Sequence, residues 1–116
     1  MKYIVAIDIG GTTFNTGIFS ESLNQVDISD KDKIRYYRNK NEVVDAIIKQ
    51  VNSTIDKNNI NRNDILGIGI AAPGPLDSKK GIILDTPNLK FFQNYNIVSD
   101  FTKKLKIDTF IENDAN

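Results

Sequence analysis

The residues best suited to chemistry follow the first apolar run of the chain, where Asp8 precedes the stretch Gly10-Gly11-Thr12-Thr13. A glycine pair lets the backbone adopt positive φ and approach a ligand with no Cβ in the way. Amide groups in such a turn can bind phosphate oxygens, and the nearby carboxylate can hold a metal ion. The spacing is not that of a P-loop, because no Gly-Lys-Ser/Thr follows. On these residues alone, an ordinary hairpin turn explains the glycines equally well.

A second carboxylate, Asp114, follows the apolar residues Phe110 and Ile111 towards the other end of the sequence. Its chemical interpretation is a general base for a substrate hydroxyl. Taken alone, Asp114 is better explained as the N-cap of a helix that follows. The hairpin interpretation leaves Asp8 unexplained, because burying an unpaired charge within an apolar strand costs several kcal/mol.

Composition narrows the classes of function. A chain of 116 residues predicts one domain, residues 1–116. Its 15 basic residues balance 15 acidic ones, so nucleic acid is not an expected partner. The absence of Cys and His leaves acid–base chemistry to carboxylates. No apolar run approaches the roughly 20 residues of a membrane span, and no signal peptide is recognised, so we expect no membrane association and a cytoplasmic location.

Hydrophobic periodicity predicts the elements that position these residues. A strand at 3–9, apolar on both faces, is expected at the centre of a sheet and joined by an antiparallel hairpin to a strand at 14–20. Residues 34–37 predict an edge strand. Asn41 is predicted to cap a helix whose apolar stripe is Val44, Ile47, Ile48, Val51 and Ile55.

The second half of the chain continues the alternation. Residues 65–72 predict a buried strand, in which Gly67 and Gly69 are interpreted as packing devices. Residues 76–90 predict a hairpin-like excursion in which Asp77 forms a turn. A helix capped by Asn96 and a short strand at 109–111 complete the order β-β-(β)-α-β-α-β, which indicates a mixed α/β sheet.

Three candidate positions follow the carboxyl ends of predicted strands. They are Asp8, the pair Pro73-Gly74 and the pair Asn113-Asp114. Ligands of α/β sheets bind beyond the carboxyl ends of the parallel strands. Residues over a hundred positions apart are therefore expected to line one crevice.

Four motifs stand in the order and approximate spacing seen in ROK-family sugar kinases, glucokinase-like members of the actin/hexokinase/Hsp70 superfamily. The chain resembles the N-terminal lobe of such a kinase over its whole length. The motifs are Asp8-Ile9-Gly10-Gly11-Thr12-Thr13, the stretch from Gly67 to Asp77, Gly81 with Pro87-Asn88-Leu89, and Glu112-Asn113-Asp114-Ala115-Asn116.

The resemblance implies a ribonuclease H-like (actin/hexokinase-type) mixed sheet with helices packed on it, and ATP and Mg²⁺ bound between two lobes. It implies that Asp8 acts on the metal and that Gly10, Gly11, Thr12 and Thr13 face the phosphates. It also implies that Asp114 is the catalytic base. The sugar contacts that it implies are Gly74, Asn88 and Asn113.

The implied reaction is transfer of the γ-phosphate of ATP to a hydroxyl of a hexose or amino sugar. A C-terminal lobe is expected beyond Asn116, and the full-length protein is expected to form a homo-oligomer. Lys90-Phe91-Phe92 stands where family members often have Pro-Gly-Trp, so the identity of the sugar stays open. Two alternatives also remain: a sugar-sensing transcriptional repressor, for which the start at Met1 leaves no room for a helix-turn-helix, and a non-catalytic sugar- or nucleotide-binding lobe.

Overall fold

The computed structural model describes residues 1–84 and 90–113, with Lys90 and Asn113 described by their backbone alone. These residues form eight strands and two α-helices. They are β1 Tyr3–Ile9, β2 Thr13–Ser20, β3 Gln25–Ile28, β4 Asp32–Lys33, α1 Lys40–Lys57, β5 Ile65–Ala72, β6 Leu76–Asp77, β7 Ile82–Ile83, α2 Ile97–Leu105 and β8 Thr109–Asn113.

The main sheet is mixed. Its strand order is β3-β2-β1-β5-β8, and β4 also pairs with β2. β1 runs antiparallel to β2 and parallel to β5, which is in turn parallel to β8. The predicted central strand, antiparallel hairpin and mixed α/β sheet of ribonuclease H-like type are therefore confirmed, and the last strand extends two residues beyond the predicted 109–111.

Both helices cover one face of the sheet. α1 packs on β2, α2 packs on β8, and the two helices contact each other. Strand residues on this face are almost fully buried because the apolar stripes of the helices lie on them. The core that results contains Val5, Ile7, Ile9, Phe14, Ile18, Ile68, Ile70 and Ile111 from the strands, and Val44, Ile47, Val51, Ile55, Ile97, Phe101 and Leu105 from the helices.

Neither α1 nor α2 covers the other face, which we call the open face. It is formed by Ile4, Ala6 and Asp8 of β1, Gly69 and Ala71 of β5, and Phe110 and Glu112 of β8. Phe110 is 64% exposed there, although parallel strands are usually covered on both faces. The packing role predicted for Gly67 fits the structure, because a Cβ added there would lie 3.5 Å from the Phe110 ring and from the Asp108 carbonyl. The packing role predicted for Gly69 is wrong, because no atom of the described residues lies within 4 Å of the position its Cβ would take.

The edge strand predicted at 34–37 is wrong, because residues Ile34–Tyr36 form a 3₁₀ turn. The sheet edge is made instead by β3 and β4. The side chain of Ile34 points into the core and is only 7% exposed. Its amide donates to the carbonyl of Thr12 at 2.9 Å, and the Tyr37 amide closes the turn on the Ile34 carbonyl at 3.0 Å.

The N-cap of α1 is Asn39 rather than the predicted Asn41. The Asn39 side chain accepts a hydrogen bond from the Glu42 amide at 3.0 Å, and the Glu42 carboxylate accepts one from the Arg38 amide at 2.9 Å. This reciprocal pair resembles a capping box and satisfies amides that the helix itself leaves unpaired. Asn96 does precede α2, but its side chain makes no capping hydrogen bond.

The predicted excursion after β5 is a small antiparallel hairpin of β6 and β7. The Asp77 carboxylate accepts a hydrogen bond from the Lys80 amide at 3.1 Å, which confirms its role as a turn former. Gly81 follows with φ of 71°. A Cβ at this position would lie 2.4 Å from the Cβ of Val98 in α2, so the hairpin can dock on α2 only with glycine here.

No helix among the described residues has both the length and the apolar character needed to cross a membrane.

The two asparagines before and within α1 give a direct test of the cap. Asn39→Ala is expected to lower the free energy of unfolding by about 1 kcal/mol, because the Glu42 amide loses its acceptor. Asn41→Ala is the matched control, and it should raise stability by up to about 0.5 kcal/mol, because alanine is the better helix former. Urea denaturation followed by circular dichroism measures both, and a larger loss for Asn41→Ala would contradict the assignment.

Candidate functional site

The parallel strands end together at one edge of the sheet, as the sequence predicted. Asp8 of β1 is the register partner of Ala71 in β5, and Ala71 is the partner of Glu112 in β8. These three residues form a cross-strand row on the open face, two carboxylates with a small residue between them. A cavity of about 300 Å³ runs along this row and its neighbours, including Gly69 and Phe110.

The Asp8 carboxylate is exposed, so the expectation of a charge buried within an apolar strand is wrong. Side chains alternate along β1, and Asp8 points to the open face while Ile7 and Ile9 point under the helices. Within residues 1–84 and 90–113, no hydrogen-bond donor or ion-pair partner engages this carboxylate. Its antiparallel partner Asn15 is largely buried on the same face. Asp8 is therefore available to a ligand.

The glycine turn connects β1 to β2 at this edge. The Gly10 amide donates to the Thr13 carbonyl at 2.8 Å, so it closes the turn and is not available to a ligand. The amides of Gly11 and Thr12 have no acceptor among the described residues, and both residues are exposed. Neither glycine of this turn uses the positive φ that glycine permits, and Gly81 is the described glycine with that conformation. Among the described residues, the amides of Gly11 and Thr12 are thus the groups of the turn that are available to a ligand.

The predicted sugar contacts are placed only in part. Gly74 lies just beyond the carboxyl end of β5 and is joined to Pro75 by a cis peptide bond. Asn113 is the last residue of β8 and the register partner of Ala72, which brings the ends of β5 and β8 together. Asn88 and Asp114 lie outside the described residues. Asp8, Gly74 and Asn113 therefore all stand at the same edge of the sheet.

A short segment after β3 supports the glycine turn from the other side. Lys33 of β4 pairs with Thr13, and the Ile34 amide donates to the Thr12 carbonyl at 2.9 Å. The segment is tied to the core by the ring of Tyr37, which packs on Phe14 with centroids 6.3 Å apart. The Tyr37 hydroxyl also donates a short hydrogen bond to the Asp32 carboxylate.

Sequence reasoning did not single out Glu112, Lys33 or Arg35 as site residues. Glu112 shares a row with Asp8 only because of the register of three strands, which no local pattern reveals. Lys33 and Arg35 lie in a polar, weakly patterned segment, but they line one cavity with Gly11, Thr12 and Thr13. A pair of basic residues of this kind gives no signal until the pairing of β4 with β2 is known.

A cluster of three or more metal-binding side chains is not found within the described ranges. This arrangement still suits Mg²⁺, which keeps several water ligands and binds proteins through one or two carboxylates together with substrate phosphates. The exposed Asp8 carboxylate can supply one such ligand, and the turn amides that have no acceptor among the described residues can bind the phosphates.

Comparison with known proteins identifies relatives of this chain. The family model described as "ROK family" matches residues 4–116. Glucokinase of Thermotoga maritima is 27% identical over 113 residues, which cover 97% of this chain and 34% of that protein. The xylose repressor of Caldicellulosiruptor bescii is also 27% identical over 113 residues, covering 97% of this chain and 28% of the repressor.

The fold is shared with a solved ROK family glucokinase from Streptomyces griseus, whose crystal structure is a complex with glucose and AMPPNP. The TM-score is 0.81 at 24% identity, over 98% of this chain and 34% of that one. The chain therefore spans about a third of the length of the relatives that it matches.

The hydrogen bond from Tyr37 to Asp32 gives a test of the support beneath the glycine turn. This hydrogen bond and burial raise the pKa of Tyr37 to about 12. Because the pKa is higher in the folded state, the stabilisation is complete below pH of about 10 and is lost as the pH rises towards 12. Tyr37→Phe is thus expected to lower the free energy of unfolding by about 1 kcal/mol at neutral pH and by less at higher pH.

Urea denaturation of the parent and Tyr37→Phe at pH values between about 7 and 11 measures this difference. Tyr36→Phe is the control, because the exposed Tyr36 hydroxyl has no hydrogen-bond partner within the described part of the chain. A stability difference for Tyr37→Phe that does not change with pH would show that Asp32 does not hold the hydroxyl proton.

Proposed function

Since the chain belongs to the ROK family, we propose that it is the N-terminal lobe of an ATP-dependent sugar kinase. The reaction is transfer of the γ-phosphate of ATP to a hydroxyl of a hexose or amino sugar. One observation carries this proposal: the exposed Asp8 carboxylate and the glycine-turn amides that have no acceptor among the described residues stand at the edge where β5 and β8 end. Asp114 follows β8 directly in the sequence. Phosphoryl transfer suits such a site, because it requires mostly positioning and electrostatic stabilisation.

The donor side of the site is formed by the turn and by β1. The amides of Gly11 and Thr12 and the hydroxyls of Thr12 and Thr13 bind phosphate oxygens, while the amide of Gly10 keeps the turn closed. Asp8 holds Mg²⁺ directly or through water. When bound, Mg²⁺ neutralises charge on the transferring phosphoryl group.

The acceptor side is formed by the residues that follow β5 and β8. Asp114 takes the proton from the sugar hydroxyl as this oxygen attacks the γ-phosphate. The sugar is held by Asn113, Gly74 and Asn88, so that its hydroxyl lies next to the γ-phosphate. Ala71 between Asp8 and Glu112 leaves room on the open face for substrate to lie across the strands.

The relatives support the kinase assignment and the choice of ATP. The Thermotoga maritima relative is named a glucokinase, and the Streptomyces griseus glucokinase structure contains both glucose and the ATP analogue AMPPNP. The chain spans about a third of these proteins, so the second wall of the cleft is assigned to a C-terminal lobe. We further propose that the full-length kinase is a cytoplasmic homo-oligomer.

A sugar-responsive transcriptional regulator is the second candidate. The xylose repressor of Caldicellulosiruptor bescii matches the same share of this chain, at the same identity, as the Thermotoga glucokinase does. A regulator needs the sugar side of the site but not Asp8 or a catalytic base. Formation of a sugar phosphate therefore separates the two functions.

The kinase function is tested with the full-length protein, ATP, Mg²⁺ and a panel of hexoses and amino sugars. A sugar phosphate is expected from at least one of them. Asp114→Asn should lower kcat by about 10²- to 10⁴-fold, because the attacking hydroxyl loses its base. Asp108→Asn is the matched control: Asp108 is an exposed carboxylate at the opposite end of β8, and kcat should be unchanged. Sugar binding without any sugar phosphate would favour the regulator instead.

The role of Asp8 has a separate test in the Mg²⁺ dependence of the rate. Asp8→Asn is expected to raise the Mg²⁺ concentration for half-maximal activity by at least about tenfold, because a neutral amide is a weaker ligand than a carboxylate. Titration of the initial rate with MgCl₂ at fixed ATP measures this change, and Asp108→Asn again serves as control. An unchanged Mg²⁺ requirement would remove Asp8 from the metal site.

A further inference from the structure

A cavity of about 380 Å³ lies beside the glycine turn, away from the strand ends that form the sugar side. It is lined by two short segments, Gly11-Thr12-Thr13 and Lys33-Ile34-Arg35. One wall therefore carries the exposed amides of the turn, and the other carries two basic side chains.

The pairing of the strands holds the two walls together. Thr13 and Lys33 are direct antiparallel partners, so their side chains leave the sheet on the same face. That face is the open face, because Thr13 lies two residues from Asn15, the partner of Asp8. The hydrogen bond of 2.9 Å between the Ile34 amide and the Thr12 carbonyl fixes the distance between the walls.

The two basic side chains lie near the same aromatic ring. The Lys33 ammonium lies 5.9 Å from the centre of the Tyr36 ring, and the Arg35 guanidinium lies 5.8 Å from it. Within residues 1–84 and 90–113, no carboxylate forms an ion pair with either of them. The neighbouring Asp32 carboxylate is engaged by the Tyr37 hydroxyl and the Lys33 amide.

The neutral and charged donors together match a chain of phosphates better than a single anion. The turn amides of Gly11 and Thr12 can bind one phosphate, and guanidinium and ammonium groups bind further phosphate oxygens with charge-assisted hydrogen bonds. A neutral sugar would give the two cations no compensating charge. The ligand chemistry of this cavity is therefore polyanionic.

We propose that Lys33 and Arg35 form a binding subsite for the phosphate chain of the donor, continuous with the glycine turn, and that Tyr36 holds the two side chains in place. That the physiological ligand is ATP rests on the proposed kinase function, whereas the binding of a polyphosphate by these side chains does not. It binds the donor alone, so it acts on the affinity for ATP and leaves the sugar side unaffected.

The first experiment measures binding of tripolyphosphate to the full-length protein by isothermal titration calorimetry. Lys33→Gln and Arg35→Gln are each expected to weaken binding about tenfold, because each removes a charge-assisted contact. Tyr36→Leu keeps both charges but loses the ring, and it should weaken binding less than either. Lys31→Gln is the matched control: it removes an exposed charge two residues from Lys33 that lines a different cavity, and binding should change by less than about twofold.

The second experiment measures steady-state kinetics of the same variants. Lys33→Gln and Arg35→Gln should raise KM for ATP with little change in KM for the sugar, as expected for a contact to the donor only. Equal binding of tripolyphosphate by the parent and both variants would overturn the subsite, and so would an equal loss in Lys31→Gln, since that loss reports only net charge.

The outcomes also separate this inference from the kinase function. A protein that forms no sugar phosphate but binds tripolyphosphate through Lys33 and Arg35 would retain the subsite and lose the proposed function. Kinase activity with an unchanged KM for ATP in both variants would retain the function and overturn the subsite.

Discussion

Parallel pairing of β1 with β5 and of β5 with β8 is the constraint on which the rest of the molecule depends. The backbone hydrogen bonds of these ladders set the spacing between strands at about 4.8 Å, so Asp8 and Glu112 stand on one row with Ala71 between them. A register slip of one residue would carry the Asp8 carboxylate under the helices, where burial of a charge costs several kcal/mol. The apolar pattern of β1 therefore selects the same register that exposes its single acid.

The two faces of this sheet differ in how far they are buried. The covered face supplies the hydrophobic stabilisation, because both helices bury their apolar stripes against it. The open face and the strand ends keep polar groups accessible, among them the Asp8 carboxylate. The glycine turn contains both kinds of group. The Gly10 amide and the Thr12 carbonyl hold the turn against β2 and against the 3₁₀ turn at Ile34, whereas Gly11 stays accessible to a ligand. Adjacent residues of the turn thus have different roles, because Gly10 and Thr12 fix its conformation and Gly11 between them stays accessible.

The strands and helices with strong local periodicity were predictable from the sequence, because their burial patterns have the period of the element itself. The features that depend on a distant partner were not. The local pattern around Ile34 predicts a strand, but the Ile34 amide donates to the Thr12 carbonyl and its side chain is buried in the core. Asn41 is as good a capping residue as Asn39, and only the path of the chain before α1 decides between them. The exposure of Asp8 follows from which face the helices cover, which no single strand encodes.

Gly81 has a consequence for how substitutions in this chain will be read. A side chain of any size there would collide with Val98, and the backbone conformation itself disfavours residues with a Cβ. A saturation library would therefore score Gly81 as intolerant as a ligand-binding position, although it holds a hairpin against a helix. Mutational sensitivity in this chain therefore does not by itself identify a ligand-binding glycine, and measuring protein abundance beside activity would distinguish the packing glycine Gly81 from a glycine whose backbone contacts a ligand.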